Sequence, residues 1–126
     1  MSEQMKPGTI GWVDLTVDDA PVLRDFYARV AGWNPQPVPM GEYDDFNMTL
    51  PETGTPVAGI CHRRGPNQDV PPVWMIYIIV ADLEAALNEV EAAGGKVVKR
   101  PAAPGPGSMA LIQDPSGVFS MLYQPS

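Results

Sequence analysis

The side chains of this sequence that could do chemistry are few, and the first of them is Asp14. It lies within the β-rich run Gly-Trp-Val-Asp-Leu-Thr-Val at residues 11–17, where an aspartate is unfavourable. A carboxylate on the wall of a cleft could act as a base, contact a ligand or accept a hydrogen bond from a cationic group. The alternative is a partly solvated acid, or one bonded to Arg63 across a sheet, because an inward carboxylate needs a partner or a proton.

Cys61 and His62 are the residue types of a nucleophile and its general base. Adjacent side chains of a regular strand point to opposite faces, so these two cannot hydrogen-bond to each other without a bulge. The pattern therefore favours a small buried thiol and a surface or packing histidine, unless the strand becomes irregular at its end. Arg63 and Arg64 come next, and they would either receive an anionic substrate or mark a solvated strand end.

A second pair of acids, Asp44 and Asp45, is a candidate for paired-carboxylate acid/base chemistry. Neighbours on a strand diverge, however, and Tyr43-Asp44-Asp45 is also typical of a turn that enters a strand. Along that strand Tyr43, Asp45 and Asn47 share one face, and Phe46 lies on the other. The alternation does not decide which of these faces points inward.

The elements that must position these residues occur twice, with a shift of half the chain. A β-rich run, an aspartate, an amphipathic stretch and a glycine follow one another over 11–33 and again over 73–95. Asp18 and Asp19 are N-cap candidates for the first helix, whose first turn suits Pro21, and Asp82 is the predicted cap of the second helix. Further strands are predicted at about 35–40, 43–50, 55–63, 96–100, 107–113 and 117–123.

This order predicts an α+β protein made of two βαβββ modules. One helix cannot cover both faces of four strands, so we expect a curved mixed eight-stranded sheet with helices outside and a central cleft. The whole chain, 1–126, would be a single domain. Module 1 would cover about 9–63, residues 64–72 would be a linker, and module 2 would cover about 73–124.

Composition limits the classes of function. Eight basic and fifteen acidic residues give a net charge of −7, which disfavours nucleic acid as a partner. The longest apolar run, 73–81, is too short to span a membrane, and the first ten residues lack a signal-peptide core. The single cysteine excludes an internal disulfide. We therefore expect a cytoplasmic protein with no membrane partner.

Several motifs together resemble the vicinal oxygen chelate superfamily, which includes glyoxalase I, extradiol dioxygenases, fosfomycin-resistance enzymes and bleomycin-resistance proteins. The resemblance covers about residues 9–124. It rests on Asp19 followed by Phe-Tyr at 26–27 and Gly-Trp at 32–33, on Asp82 followed by Gly-Gly at 94–95, and on Asp-Pro-Ser-Gly at 114–117. It implies the paired βαβββ fold and, commonly, a homodimer.

The resemblance also implies where a divalent metal would be held, by one residue in the first and one in the last strand of each half. The corresponding residues here are Trp12, Gly59, Met75 and Met121. Indole, glycine and thioether groups are not ligands for a hard or borderline divalent ion. We therefore expect no metal and no other cofactor.

Strand alternation then predicts an apolar and aromatic cleft with a few polar groups, as is usual for small-molecule sites. The predicted ligand-binding residues are Trp12, Asp14, Tyr43, Asp45, Cys61, Arg63, Met75, Tyr77, Phe119 and Met121.

Three hypotheses of function remain. The first is a metal-free binding protein of the bleomycin-resistance type, which holds a small apolar or aromatic molecule in the cleft. The second is a metal-independent lyase- or isomerase-like enzyme with Asp14 as acid/base, assisted by Tyr43, Asp45 or Tyr77. The third is a metal enzyme with relocated ligands, for which Asp14, Asp45 and His62 are the available set.

Overall fold

The computed structural model describes residues 5–126 of the chain. A short 3₁₀ helix, Gly65–Asn67, lies within the predicted linker. The helices and strands are β1 (Ile10–Val17), α1 (Ala20–Ala31), β2 (Asn34–Pro39), β3 (Asp44–Thr49), β4 (Pro56–His62), β5 (Trp74–Ile79), α2 (Leu83–Ala92), β6 (Lys96–Lys99), β7 (Met109–Gln113) and β8 (Phe119–Tyr123).

The chain divides into two compact units. The N-terminal unit, Val13–Trp74, holds most of β1 together with α1, β2, β3 and β4. Its strands lie in the order β2-β3-β4-β1. β1 and β4 are parallel, whereas β3 is antiparallel to both β2 and β4. The unit is thus one βαβββ module with a mixed sheet.

The C-terminal unit consists of the described residues up to Trp12 together with Met75–Ser126. Its strands lie in the order β5-β8-β7-β6, with β5 and β8 parallel and the other pairs antiparallel. Backbone hydrogen bonds of 2.8 Å join Gly8 N–H to Ile79 C=O and Ile79 N–H to Thr9 C=O. The start of the chain therefore runs beside β5.

Each unit buries its own core between its helix and one face of its sheet. In the N-terminal unit the buried apolar side chains include Phe46, Met48 and Ile60, against which residues of α1 pack. In the C-terminal unit Leu83 and Leu87 of α2 pack with a second set, made of Ala110, Ile112 and Leu122. Since side chains alternate along a strand, the residues between these positions lie on the face away from the helix.

The two helices begin differently, although the sequence predicts an aspartate cap for both. The Asp82 carboxylate accepts a hydrogen bond of 3.1 Å from the N–H of Ala85 and caps α2. Asp19 precedes α1 with φ −117° and ψ 68°, and its side chain makes no cap hydrogen bond. The predicted side-chain cap on α1 is therefore wrong. Pro21 lies in the first turn of α1, where it supplies no N–H to such a cap.

The predicted α+β class is confirmed, since the described residues form two helices and eight strands in the order of two βαβββ modules. Glycine ends the first helix as predicted, because Gly32 adopts φ 76° and closes α1 with a hydrogen bond to Ala28. None of the helices found within residues 5–126 is long and apolar enough to cross a membrane.

Candidate functional site

The face of the C-terminal sheet that lies away from α2 carries several of the predicted ligand-binding residues. Tyr77 of β5 lies directly opposite Met121 of β8, and Met121 lies opposite Leu111 of β7. Their neighbours Leu122, Ala110 and Ile112 belong to the core beneath α2. Tyr77 and Met121 therefore share the sheet face away from α2.

A cavity of about 260 Å³ opens on this face of the C-terminal unit. Its lining is predominantly apolar, with three aromatic rings and two thioethers among the side chains. The lining residues are Met5, Gly11, Trp12, Tyr77, Ile79, Met109 and Tyr123. Of the predicted binding residues, Trp12 and Tyr77 contribute to this cavity.

The other predicted residues of the C-terminal unit do not line this cavity. Met75 and Met121 are 1% and 8% exposed, so both are part of the packed interior. Phe119 is half-buried and lies opposite Gln113 at the end of the β7–β8 pair. Met109 is not among the residues that the sequence predicts, although its position opposite Tyr123 places it on the same face. The antiparallel register of β7 and β8 is the signal that could have found it.

The N-terminal unit presents a polar face instead. Phe46 and Met48 pack toward α1, so Asp45 and Asn47 lie on the opposite face of β3. The structure thereby decides between the two faces that the sequence left open. On this face Asp14, Gly59 and Asn47 form one row across three strands, since Gly59 lies opposite both of the others.

Cys61 lies on the same face as Asp14 and Asp45. Burial, together with the negative charges of Asp14 and Asp45, raises the pKa of the Cys61 thiol to about 12. A thiol with this pKa stays protonated at neutral pH and is not an activated nucleophile.

His62 ends β4, and its side chain contacts Asp45. One carboxylate oxygen of Asp45 accepts a hydrogen bond of 2.9 Å from the backbone N–H of His62 and lies 3.2 Å from the imidazole Nδ1. Both side chains are largely enclosed, with 16% of the His62 side chain and 10% of the Asp45 side chain exposed. The predicted surface or packing role for His62 therefore omits its carboxylate partner, Asp45.

Tyr43 and the two arginines lie around this strand end. The ring of Tyr43 meets the imidazole of His62 edge-on at 5.0 Å, and the Arg64 guanidinium lies 4.1 Å from the centre of the Tyr43 ring. Arg63 turns toward Asp18, with 3.8 Å between Nη1 and the carboxylate. The Nε atom of Arg63 is enclosed and has no hydrogen-bond partner among the described residues.

The residues at the family's metal positions do not fit a divalent metal. Trp12 and Gly59 offer no donor, and the thioethers of Met75 and Met121 are poor ligands for a hard or borderline ion. Over the described part of the chain, no three His, Cys, Asp or Glu side chains gather closely enough to hold a metal. Asp14, Asp45 and His62, the relocated set considered above, are not gathered into such a group there.

Comparison with known proteins identifies the relatives of this chain. The family model of the Glyoxalase/Bleomycin resistance protein/Dioxygenase superfamily matches residues 9–122, which confirms the resemblance inferred from the motifs. "Putative glyoxylase CFP32" of Mycobacterium tuberculosis is 34% identical over 125 residues, which are 96% of this chain and 47% of that protein. The anthracycline biosynthesis protein DnrV of Streptomyces peucetius is 32% identical over 134 residues, covering 94% of this chain and 47% of DnrV. The chain thus spans about half the length of these curated relatives.

Solved structures share the fold at lower identity. Methylmalonyl-CoA epimerase from Mycobacterium tuberculosis matches with a TM-score of 0.55 and 15% identity, over 100% of this chain and 93% of the epimerase. The epimerase of Streptomyces coelicolor matches with a TM-score of 0.56 and 14% identity, over 96% of each chain. At this identity the likeness concerns the fold alone.

Proposed function

Because this chain belongs to the Glyoxalase/Bleomycin resistance protein/Dioxygenase superfamily, we propose that it binds a small aromatic or apolar organic molecule, without a divalent metal, in the cavity of its C-terminal unit. The observation that carries the proposal is the lining of that cavity. Three aromatic side chains, those of Trp12, Tyr77 and Tyr123, border it. Aromatic side chains offer large flat surfaces for ring stacking, and their polar tips can orient a ligand.

The size of the cavity limits the ligand. Ligand pockets commonly measure about 300 to 1,000 Å³, and the 260 Å³ of this cavity lies just below that range. A molecule or molecular portion of one or two rings is the matching size. The thioethers of Met5 and Met109 can adjust to ligands of slightly different outline, because methionine is unbranched and polarizable.

Two further observations support an aromatic ligand that is neutral or cationic. The relative from Streptomyces peucetius is named for anthracycline biosynthesis, and an anthracycline is built on fused rings. The net charge of −7 attracts cations over a long range and repels anions.

Binding of indole, a two-ring aromatic probe without an acidic hydroxyl, tests the proposal. We expect saturable binding by calorimetry, and amide signals near Trp12 and Tyr77 should shift in the NMR spectrum. Met109→Trp fills the cavity and should abolish binding, whereas Trp12→Ala removes a stacking surface and should weaken it about tenfold, a change equivalent to about 1.4 kcal/mol.

Phe26→Leu is the matched control, since Phe26 is an aromatic residue of α1 that is 53% exposed and does not line the cavity. Its affinity for indole should equal that of the unmodified protein. Equal affinity of Met109→Trp and the unmodified protein would show that indole binds elsewhere and would overturn the proposal.

A second candidate function is a metal-independent lyase- or isomerase-like activity that uses Asp14 as acid/base. The observation that favours it is the carboxylate of Asp14 on the same sheet face as Asp45 and Cys61. Asp14→Asn separates the two candidates, because a binding protein would retain most of its affinity. An enzyme that depends on this proton transfer would lose turnover by about 100-fold or more.

We also propose that the protein is a cytoplasmic homodimer that carries no metal, the assembly and the location expected from its family resemblance and composition. Native mass spectrometry of protein expressed with divalent metals supplied tests both the assembly and the metal content. A dimer mass without metal is expected. A monomer contradicts the dimer, and one metal per protomer contradicts the metal-free site.

A further inference from the structure

The Asp45–His62 pair is held in one fixed arrangement at the end of β4. The backbone N–H of His62 donates to Asp45 at 2.9 Å, so the strand itself anchors the carboxylate. The same oxygen lies 3.2 Å from Nδ1 of the imidazole. A carboxylate beside Nδ1 favours the tautomer that carries its proton on that nitrogen, as in catalytic imidazole–carboxylate pairs.

The other ring nitrogen is consequently an acceptor. Nε2 of His62 has no hydrogen-bond partner among the described residues. Fully enclosed side-chain atoms that lack a partner do not include Nε2, so this nitrogen is in contact with solvent. Part of the 16% of the side chain that remains exposed therefore lies at Nε2. An oriented imidazole with an open lone pair is the geometry of a proton acceptor.

The surroundings of the imidazole favour an aromatic partner. Tyr43 lies edge-on at 5.0 Å from the imidazole ring centre. The guanidinium of Arg64 stacks 4.1 Å from the centre of the Tyr43 ring, and 3.8 Å separates it from Glu42. An aromatic ring and a cation beside an acceptor suit a flat ring that carries an acidic hydroxyl.

We propose that Asp45 and His62 form a proton-accepting site for a phenolic hydroxyl group. The phenol O–H bond breaks, the proton moves to Nε2 and the electron pair stays on the phenol oxygen. The products are a phenolate and an imidazolium, and the imidazolium is stabilised by the Asp45 carboxylate. Cys61 takes no part, because its thiol stays protonated.

The proposed phenol site lies within the N-terminal unit, and it does not depend on ligand binding in the cavity of the C-terminal unit. The probe is 4-nitrophenol, whose phenolate is coloured. It is titrated into the protein in the presence of excess indole, which occupies the cavity of the C-terminal unit. We expect bound 4-nitrophenol to show a larger phenolate fraction than the free compound at the same near-neutral pH. His62→Gln should abolish this difference and weaken binding about tenfold, or about 1.4 kcal/mol. Indole affinity should stay unchanged in this variant.

His62 is the sole histidine of the chain, so its ring nitrogens give unambiguous ¹⁵N NMR signals. We expect the Nδ1–H tautomer in the free protein and a shift of Nε2 when 4-nitrophenol is added. Asp45→Asn, which keeps the size of the side chain, should weaken the tautomer preference and the probe affinity. It gives a second route if His62→Gln does not fold. An Nε2–H tautomer, or an Nε2 signal that 4-nitrophenol does not move, would refute the site.

Discussion

The carboxylate of Asp45 and the thiol of Cys61 lie on the same face of the β3–β4 pair, close enough to interact electrostatically. Both side chains lie on the sheet face away from α1, and Asp14 lies on that face as well. Burial of the thiol is the main cause of its raised pKa, and the two carboxylates add to it. The pKa of the Cys61 thiol therefore depends on the charge of the sheet face that also holds the Asp45–His62 pair.

The first prediction concerns the reactivity of Cys61. Because the thiol pKa is about 12, alkylation by iodoacetamide at mildly alkaline pH should be much slower in the folded protein than in the urea-unfolded chain. Asp45→Asn removes one of the charges and should lower the thiol pKa, although burial keeps it above the ordinary value. The pH dependence of the alkylation rate measures this. Equal rates for folded and unfolded protein would show that the thiol is accessible and unperturbed.

The same pKa predicts how stability changes at high pH. The thiol of the unfolded chain titrates near the ordinary value of 9.0, whereas the folded protein keeps the proton until about pH 12. Between these values the folded state binds more protons, so the free energy of unfolding should fall as pH rises. Urea unfolding at a series of pH values measures it. Cys61→Ala should show a shallower fall over this window, and an equally steep fall would assign the loss to other groups.

The third prediction compares the two helix starts. Asp82→Ala should lower the free energy of unfolding by about 1 kcal/mol, since it removes the hydrogen bond to Ala85. Asp19→Ala is the matched control, because Asp19 occupies the equivalent place but makes no cap hydrogen bond. It should change stability by less than about 0.5 kcal/mol. Interaction with the helix dipole is common to both aspartates, so the difference between the variants reports the cap bond.

The fourth prediction concerns Gly95, which follows α2. A Cβ at this position would lie 2.7 Å from the backbone oxygen of Gln113 and 3.2 Å from that of Val90. Backbone atoms cannot move aside easily, so Gly95→Ala should lower the free energy of unfolding by about 2 kcal/mol. Gly105→Ala is the control, since a Cβ there meets no atom within 4 Å. Thermal unfolding of both variants measures the contrast, and equal midpoints would contradict it.

Much of the fold could be predicted from the sequence because the signals are local. The strand and helix bounds follow from apolar periodicity over a few residues, and Gly32 ends α1 as its place in the pattern predicts. The cap at Asp19 could not be predicted in this way. Whether a carboxylate reaches an N–H depends on the backbone angles at that residue and on Pro21, and the equivalent Asp82 differs in both.

The candidate site was predictable in part. Alternation was enough to place Tyr77 on the same face as Met75, because the period of a strand is fixed by its backbone geometry, and the family resemblance placed Met121 on that face as well. It could not tell that Met121 is packed in the interior while Tyr77 borders a cavity, since that depends on which neighbouring side chains leave space. Met109 joins the cavity through its register with Tyr123, which no local pattern contains.

From its residues alone, the chain can be assigned to its family, its α+β class and its repeated βαβββ order, because these depend on patterns within each stretch of sequence. The pairing of Asp45 with His62 depends on the folded chain. The two residues are 17 positions apart, and the β3–β4 register and the end of β4 bring them to 3.2 Å. Tertiary structure decides such contacts because a shift of one residue in register would move Asp45 to the other face of the sheet.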